Sequence, residues 1–404
     1  MTSTLLRRNR TQDSLRRSGV DSLPRLRIAM MLESDEPGGA EMMVFRLSDE
    51  LRRRGHTVVP VGPEHGVGWL GDLFRRGGFE PEVFHIERAI DPGCVKGLVN
   101  LFRERRIDAV HSHEFTMAVY GTAATRITGL PHVITMHGGL TVCKALRRRI
   151  ALRWAMKTSE HTVMVSRATQ KQFAEDLGVD PSLFTVVPNG VPVHKGDASR
   201  VRAEFGIDEG DCVILAVGVL ERHKGHRYLL EALAGLNSDA LAAPWKLIIA
   251  GGAGGDEHES MMRYISAKGL RDQVHIAFSR NDVADLLDLA DVFVMPSLWE
   301  GLPMAVLEAM VAGKAIIASR IAGIPEAVVD GREGILVPPG EVGPLGNALG
   351  SLLIDPARRA SLGAAAATRA CRDFTVAVMA DRYEALYATA YASRGGATRR
   401  ALGA

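Results

Sequence analysis

The sequence lacks the features that mark several classes of protein. Its 404 residues contain only four cysteines, which lie far apart and form no Cys-x-x-Cys pair, so a disulfide scaffold is excluded and reduced, intracellular thiols are expected. Aromatic residues make up 5% of the chain, which argues against the base-stacking surfaces of nucleic-acid-binding proteins. No apolar run approaches the ~20 residues that span a bilayer.

The remaining composition is that of an ordinary globular protein, with 46% apolar residues, 24% charged residues and a net charge of +2. Domains usually have roughly 100–200 residues, so a chain of this length predicts two. Residues 1–24 are rich in arginine, serine and threonine and lack the apolar core of a secretory signal. We therefore predict a flexible basic tail on a cytoplasmic protein, with a transit peptide as the alternative.

Short apolar runs alternate with helical segments after residue 25, and this rhythm predicts a parallel sheet covered by helices on both faces. The turn-forming segment 188–192 interrupts the rhythm, which then starts again. We predict an α/β fold of two doubly wound, Rossmann-like domains, residues 25–190 and 191–372. A final helix and tail, residues 373–404, is predicted to pack back toward the first domain. Ligands of such sheets bind beyond the carboxyl ends of the strands, so the cleft between the domains is the expected site.

Two glutamates follow the apolar run Val292–Met295. Glu300 lies in the loop after this predicted strand, and Glu308 lies about one and a half turns inside a helix predicted to begin near Leu302 or Pro303. Carboxylates at the carboxyl end of a strand are suited to accept hydrogen bonds from the vicinal hydroxyls of a ligand. Taken alone, the pair is better explained by a helix cap and a surface charge, but the surrounding Pro-Ser and Glu-Gly-Leu-Pro sequences favour the binding role.

Three other groups of residues suit the binding of an anionic ligand. Gly38 and Gly39 precede a predicted helix, whose first backbone N–H groups attract anions. Arg222 and Lys224 follow the first strand of the second domain, where they could neutralise phosphate. His137 follows a strand near the expected cleft. The alternatives are a tight turn, solvated surface charges and a structural histidine.

Together these motifs resemble the family-4 retaining glycosyltransferases of GT-B fold, also called glycosyl transferases group 1. The resemblance covers nearly the whole chain after residue 26, and Glu300-Gly301-Leu302-Pro303 with Glu308 is similar to the family's E-x7-E signature. The other matching elements, in the family's order, are Gly38–Glu41, His113, Thr135–Gly138, Val187–Val191, Gly218–Gly225, Ala250–Gly252 and residues 331–338.

The resemblance implies that a nucleotide-diphosphate sugar is the donor and that a carbohydrate or a lipid-linked hydroxyl is the acceptor. It places Glu308 on the ribose hydroxyls and Glu300 on the transferred sugar, and it implies that the leaving phosphate accepts the acceptor's proton. The implied catalytic residues are His137, Arg222, Lys224 and Glu300, and the implied donor-binding residues are Gly38, Gly39, Gly301, Leu302, Pro303 and Glu308.

Neither a metal nor a cofactor is expected, because the sequence contains no Asp-x-Asp pair to hold a metal on a diphosphate. Cationic side chains and helix-start N–H groups are expected to stabilise the leaving group instead. Two positions depart from the family pattern: Val219 stands where arginine often follows the glycine, and a small residue is common near Phe278. Both departures bear on the choice of donor.

Residues 144–157 contain six basic residues and no acidic residue, and Leu146, Ile150 and Trp154 share one helical face. Such a helix favours contact with an anionic membrane surface or a phosphorylated acceptor. A half-buried helix with a solvated basic side is an equal alternative. Nucleic-acid binding is not expected, because aromatic residues are sparse here.

Together with this resemblance, the sequence predicts a retaining, metal-independent glycosyltransferase of polysaccharide or glycolipid synthesis, cytoplasmic and peripheral on the inner face of the cell membrane. A sugar-nucleotide epimerase of the same fold and a non-catalytic sugar-binding relative are the alternatives.

Overall fold

The computed structural model describes residues 24–63, 68–138, 145–193, 195–236, 243–252, 257–278 and 280–395. Three sequence predictions fall wholly or partly outside these ranges. They are the basic tail, apart from its last residue, Lys144 of the basic segment, and the end of the C-terminal tail after residue 395.

Thirteen strands form two parallel sheets in the described part of the chain. The strands are β1 (Arg27–Met31), β2 (Thr57–Pro63), β3 (Glu82–Phe84), β4 (Ala109–His113), β5 (His132–Met136), β6 (His161–Met164), β7 (Phe184–Val186), β8 (Cys212–Val217), β9 (Trp245–Gly251), β10 (Val274–Phe278), β11 (Val292–Met295), β12 (Ala315–Ser319) and β13 (Gly334–Val337). The first sheet has the order β3-β2-β1-β4-β5-β6-β7, and the second has the order β10-β9-β8-β11-β12-β13.

Helices separate the strands and cover the sheets. They are α1 (Gly39–Arg53), α2 (Trp69–Arg76), α3 (Pro92–Glu104), α4 (Glu114–Thr128), α5 (Leu146–Thr158), α6 (Arg167–Leu177), α7 (Ala198–Glu204), α8 (His226–Ala234), α9 (His258–Ala267), α10 (Val283–Leu289), α11 (Met304–Val311), α12 (Ile324–Ala327), α13 (Val342–Leu353), α14 (Pro356–Asp373) and α15 (Val376–Ser393). Two doubly wound α/β domains result, which confirms the predicted fold class.

Burial on both faces explains the apolar strands. All four residues of β11 and all five of β12 are buried, as is typical of parallel strands between two helical layers. Local sequence fixes the helix ends: Asp91 caps α3 by accepting hydrogen bonds from the N–H groups of Gly93 and Cys94 at 2.8 and 3.4 Å, with Pro92 at the first helical position.

Two helices begin later than the sequence predicts. The C-terminal helix α15 begins at Val376, because the Thr375 side chain caps it and accepts a hydrogen bond from the N–H three residues ahead. Helix α11 begins at Met304, because the backbone of Pro303 is extended and serves as the N-cap. Glu308 therefore lies about one turn inside α11 rather than one and a half.

Helix α15 packs against the first sheet. The hydroxyl oxygen of Tyr387 lies 2.7 Å from Nδ1 of His111, and that of Tyr383 lies 3.0 Å from Oγ1 of Thr135. Both tyrosines are completely buried. Helix α15 thus belongs to the core of the N-terminal domain.

The chain crosses between the domains at two adjacent points. The N–H of Val191 donates to the carbonyl of Phe374 at 2.8 Å, and the N–H of Val376 donates back to Val191 at 3.1 Å. This pairing ties the two crossings together. Within the described ranges, no helix combines the length and the apolarity that crossing a bilayer requires.

Candidate active site

A buried ion pair lies at the carboxyl edge of the second sheet. Lys224 ends a short 3-10 turn after β8, and Glu300 lies in the loop after the neighbouring strand β11. Nζ of Lys224 is 2.8 Å from Oε1 of Glu300, and the hydroxyl of Ser297 donates to the same oxygen at 2.8 Å. The two charged side chains are only 19% and 10% exposed. Among the described residues Oε2 of Glu300 has no hydrogen-bond partner, so it is available to a ligand.

A glycine allows this turn to lie so close to the loop after β11. Gly225 has a φ of +69°, and a Cβ there would overlap the carbonyl oxygen of Pro296. The backbone N–H of Leu298 also donates to the carbonyl of His223 at 2.7 Å. Backbone packing thus fixes the distance between the lysine and the glutamate.

The N-terminal domain meets this loop directly. A Cβ on Gly301 would overlap the carbonyl oxygen of His137, so only glycine fits between the two chains. On the other side of the cleft, Gly39 lies close to Met304, the first residue of α11. The structure therefore brings together predicted site residues from both domains.

Leu302 and Pro303 shape the backbone of this loop. Leu302 is buried, and its carbonyl accepts a hydrogen bond of 3.0 Å from Nδ2 of Asn189. Pro303 serves as the N-cap of α11. These two residues fix the start of α11 between Glu300 and Glu308.

Glu308 forms an ion pair across the cleft that the sequence did not predict. Nη2 of Arg46, on α1, lies 2.6 Å from Oε1 of Glu308, and the two side chains are 17% and 19% exposed. Nη1 of Arg46 is buried and has no hydrogen-bond partner in the described part of the chain. Arg46 follows Gly39 by seven residues, or about two helical turns, so it shares the cleft-facing side of α1. In the sequence, only this helical spacing from Gly39 indicated that Arg46 lies in the cleft.

A chain of contacts fixes the protonation of His137. Nε2 of His113 lies 3.1 Å from the sulfur of Met30, which can only accept, so this nitrogen carries the proton. Nδ1 of His113 must then accept from Nε2 of His137, 3.0 Å away. Nδ1 of His137 is consequently unprotonated, and it is buried without a partner among the described residues. Burial lowers the pKa of His137 to about 4, so at neutral pH the ring is an uncharged hydrogen-bond acceptor.

Glu114 holds the backbone of this histidine. Its Oε1 accepts the N–H of His137 at 2.9 Å, and its own φ is +61°, which glutamate rarely adopts. Burial, together with the nearby charges of Glu41 and Glu33, raises the pKa of Glu114 to about 7. No sequence pattern indicated a role for this carboxyl group.

The glycine loop, Gly38 and Gly39, has an acidic neighbour. Gly38 is the N-cap of α1, and Gly39 is its first residue rather than preceding the helix as the sequence predicts. The carboxylate of Glu41, however, lies against Gly38, where a Cβ would overlap it. A diphosphate approaching these N–H groups would have to displace this carboxylate.

Arg222 stands apart from the ion pair. It is exposed and has neither an ion pair nor a hydrogen bond to any described side chain. Phe278, at the end of β10, is also partly exposed, and its ring centroid lies 5.0 Å from that of His258 in an edge-to-face arrangement. Within the described ranges no three histidine, cysteine, aspartate or glutamate side chains converge as a set of metal ligands.

Comparison with known families identifies the chain. Residues 37–195 match Glycosyltransferase Family 4, and residues 197–369 match Glycosyl transferases group 1. The two matches meet between the two sheets and supply both sides of the cleft. The chain belongs to the family-4 glycosyltransferases.

Relatives with assigned activities match much of the chain. The chain is 28% identical over 271 residues to an Escherichia coli UDP-Gal:alpha-D-GlcNAc-diphosphoundecaprenol alpha-1,3-galactosyltransferase, covering 63% of this chain and 69% of the relative. It is 28% identical over 399 residues to the alpha-maltose-1-phosphate synthase of Mycolicibacterium smegmatis, covering 90% and 99%. Among solved structures, Anabaena HepE in complex with UDP-glucose has a TM-score of 0.76 at 24% identity, covering 89% of this chain and 98% of that one. This structural likeness shows that the fold of this glycosyltransferase is GT-B.

The basic helix of this glycosyltransferase is α5. Its predicted apolar stripe is exposed, with 69% of Leu146, 61% of Ile150 and 43% of Trp154 accessible. The opposite face, which includes Leu152 and Met156, is buried in the N-terminal domain. The helix therefore presents apolar and basic side chains together to the outside.

Proposed function

We propose that this chain is a retaining, metal-independent glycosyltransferase that moves a sugar from a nucleotide-diphosphate sugar to a hydroxyl of a carbohydrate or lipid-linked acceptor, in polysaccharide or glycolipid synthesis. The observation that carries the proposal is the pairing of Lys224 with Glu300 at the sheet edge, opposite the open acceptor nitrogen of His137. The E. coli relative is named for a UDP-sugar, and HepE was solved with UDP-glucose, which favours a UDP-sugar as the donor.

Each group in the cleft has a chemical role in this proposal. Oε2 of Glu300 and Nδ1 of His137 accept hydrogen bonds from hydroxyls of the transferred sugar. Glu308 accepts hydrogen bonds from the ribose, and Arg46 orients it from the other domain. Hydrogen bonds to charged groups are worth roughly 1.5–3 kcal/mol each, which is enough to select a sugar nucleotide.

Transfer breaks the bond between the anomeric carbon and the diphosphate oxygen and forms a bond from that carbon to the acceptor oxygen. The acceptor's proton passes to the departing diphosphate, and both events occur on the same face of the sugar, which retains the anomeric configuration. Lys224 and the exposed Arg222 stabilise the negative charge that develops on the leaving group. Activity unchanged by EDTA is the expected result, and dependence on added Mg²⁺ or Mn²⁺ would contradict metal independence.

The rest of the donor lies along the loops at the two sheet edges. Gly38, Gly39 and Gly301 admit the donor close to the backbone once the carboxylate of Glu41 turns away from the glycine loop. Phe278 contacts the nucleobase at the end of β10, where the family pattern has a small residue. Substituting Phe278 with alanine would then change the preference between uridine and guanosine donors.

Helix α5 attaches the protein to the inner face of the cell membrane in this proposal. Its exposed apolar stripe enters the interface, and its arginines meet anionic headgroups. In a flotation assay the protein should rise with vesicles of phosphatidylglycerol and remain below with vesicles of phosphatidylcholine. Absence from the phosphatidylglycerol fraction would remove the membrane contact from the proposal.

A product analysis tests the reaction itself. With a sugar nucleotide and acceptor, the protein should release one nucleoside diphosphate per glycoside formed, and the glycoside should keep the anomeric configuration of the donor by NMR. An altered sugar nucleotide from donor alone would indicate an epimerase. Saturable donor binding without turnover on any acceptor would indicate a binding protein.

A further inference from the structure

A groove in the N-terminal domain begins beside the candidate active site and runs away from it. Its volume is about 1420 Å³, larger than the ~300–1,000 Å³ of ordinary small-molecule sites. Helix α4 lines it from Phe115 to Ile127, a length of about 18 Å by helical rise, and α3 and α5 line its sides. Phe115 follows Glu114, which holds the backbone of His137. One end of the groove therefore opens beside His137 at the candidate active site.

Away from the cleft, the α4 side of the groove is mainly apolar, whereas α3 contributes the polar residues Lys96, Asn100 and Arg103 beside its valines. Val119, Ala123 and Ile127 line it at four-residue spacing on α4, and Val95 and Val99 line it on α3. Ile127 is 60% exposed. An open apolar channel of this length marks a binding surface rather than a protein core, and its shape fits an extended hydrocarbon chain.

Two arginines stand at the end nearest the cleft. Arg147 and Arg148 lie in the first turn of α5, and the guanidinium carbon of Arg148 lies 5.4 Å from the ring centroid of Phe115. Neither has an acidic partner at ion-pair distance within the described ranges. Arginine pairs that lie free beside an apolar channel match a phosphate attached to a hydrocarbon.

The acidic residues that line the groove form no ion pair with Arg147 or Arg148 in the described part of the chain. Asp91 already accepts backbone hydrogen bonds from Glu87 and Gly93 at 2.9 and 2.8 Å. Glu87 itself lies in the loop before α3. Glu33 lies in the loop after β1, where the hydroxyls of an acceptor sugar would meet it rather than a phosphate.

Helix α5 places the groove next to its outward face. Leu146, Ile150 and Trp154 point outward, Leu152 and Met156 point into the core, and the groove-lining residues of the helix lie between these two faces. A lipid in the bilayer under the outward face would thus reach the groove without passing through bulk water.

We propose that the groove binds a lipid-linked diphosphate as the acceptor. Arg147 and Arg148 bind the diphosphate, the hydrocarbon lies along α4 over Ala123 and Ile127, and the attached sugar enters the cleft toward His137. This inference rests on the proposed glycosyltransferase function and specifies its acceptor class.

Farnesyl diphosphate, below its micellar concentration, is a direct probe of the groove. Titration calorimetry should show saturable binding, and inorganic diphosphate and farnesol should each bind at least about tenfold more weakly, because each supplies only one of the two contacts. Equal affinity for farnesol or for inorganic diphosphate would overturn the proposal.

Substitutions in the groove test whether farnesyl diphosphate binds there. Arg147→Ala with Arg148→Ala should weaken farnesyl diphosphate at least about tenfold, as should Ala123→Phe, which narrows the channel. Ile127→Asp, at an exposed position, serves if Ala123→Phe fails to fold. Unchanged affinity in the folded variants would overturn the proposal.

Arg126→Ala is the matched control, because Arg126 is an exposed cation on α4 outside the groove. A loss in this control equal to that of the arginine pair would mean non-specific attraction and contradict the groove. Loss of vesicle binding in the arginine pair, with probe affinity unchanged, would assign those residues to the membrane surface instead.

The proposed function is tested separately in the same samples. Affinity for UDP reports on the cleft and should be the same in wild type and in the groove variants. Absence of UDP binding throughout would remove the glycosyltransferase proposal, whatever the groove binds. UDP binding without any farnesyl diphosphate binding would remove only the acceptor inference.

Discussion

Replacing Lys224 with methionine tests whether the lysine acts in transfer or only in folding. In Lys224→Met the carboxylate of Glu300, 10% exposed, keeps only the Ser297 hydroxyl as a donor. Removing one partner of a buried ion pair costs ~3–5 kcal/mol, and the partial exposure of the lysine places this pair near 3 kcal/mol. In a domain of this size that loss lowers the melting temperature by roughly 6–12 °C.

The effect on transfer should be larger and should persist when stability is restored. Losing one charge aimed at the leaving group slows catalysis by about 10²–10³-fold. In the double variant with Glu300→Gln, neither charge remains and the amide can still accept from Ser297, so most of the stability should return. Transfer should stay slow, because only the exposed Arg222 is left to stabilise the departing diphosphate.

The assay compares melting temperature with the initial rate of nucleoside diphosphate release at saturating donor. Lys171→Met is the matched control, because Lys171 is 78% exposed and its ion pair with Glu175 is 3.9 Å long, so both quantities should be nearly unchanged. A wild-type rate in folded Lys224→Met, or a rate restored in the double variant, would refute the role assigned to this lysine.

The remaining predictions concern the buried histidines, Glu114 and the ion pair across the cleft. Burial lowers the pKa of His132 to about 3 and of His137 to about 4, so these two histidines alone should lower stability by ~2.7 kcal/mol per pH unit as pH drops below about 6, where each takes up a proton in the unfolded chain. Burial also lowers the pKa of His111, His113 and His226, which adds to the loss, and a flat melting temperature over this range would contradict the prediction. The pKa of Glu114 is raised to about 7, so its ionisation opposes folding as pH rises. Glu114→Gln should therefore have a higher melting temperature than wild type at pH 8 and the same melting temperature at pH 4. An equal rise in melting temperature at both pH values would contradict the prediction. Arg46→Met should lower the affinity for UDP in calorimetry by about tenfold, because Arg46 no longer holds the Glu308 carboxylate in place. Arg53→Met is the control, since Arg53 lies on the same helix but is 69% exposed, and it should leave the affinity for UDP unchanged. Equal losses of affinity in the two variants would contradict the prediction.

Most of the fold could be predicted because buried parallel strands are continuous apolar runs. Val292–Met295 was predicted and is β11 in the structure. The sequence did not reveal β3, which has only three residues and begins with glutamate, or β13, which begins with glycine. Short or glycine-led segments carry too little apolar pattern to be distinguished from loops.

The lysine and glutamate of the site were predictable from topology. Lys224 and Glu300 each follow a strand, and the two strands, β8 and β11, are neighbours. Because the carboxyl ends of parallel strands meet at one edge of the sheet, the two side chains are expected to lie together there. Arg46 and Glu308 are 262 residues apart, and their contact depends on how two domains approach each other. No local pattern encodes that distance. The left-handed backbone of Glu114 is likewise a product of tertiary packing.

In the proposed mechanism a sugar nucleotide binds in the cleft through Glu308. The most direct test is the affinity of UDP for wild type and Glu308→Ala by titration calorimetry, with Glu175→Ala as the charge-matched control in the N-terminal domain. Loss of charge-assisted hydrogen bonds to the ribose should weaken Glu308→Ala at least about tenfold and leave the control at the wild-type value. Equal UDP affinity in all three proteins would contradict the binding of the donor through Glu308.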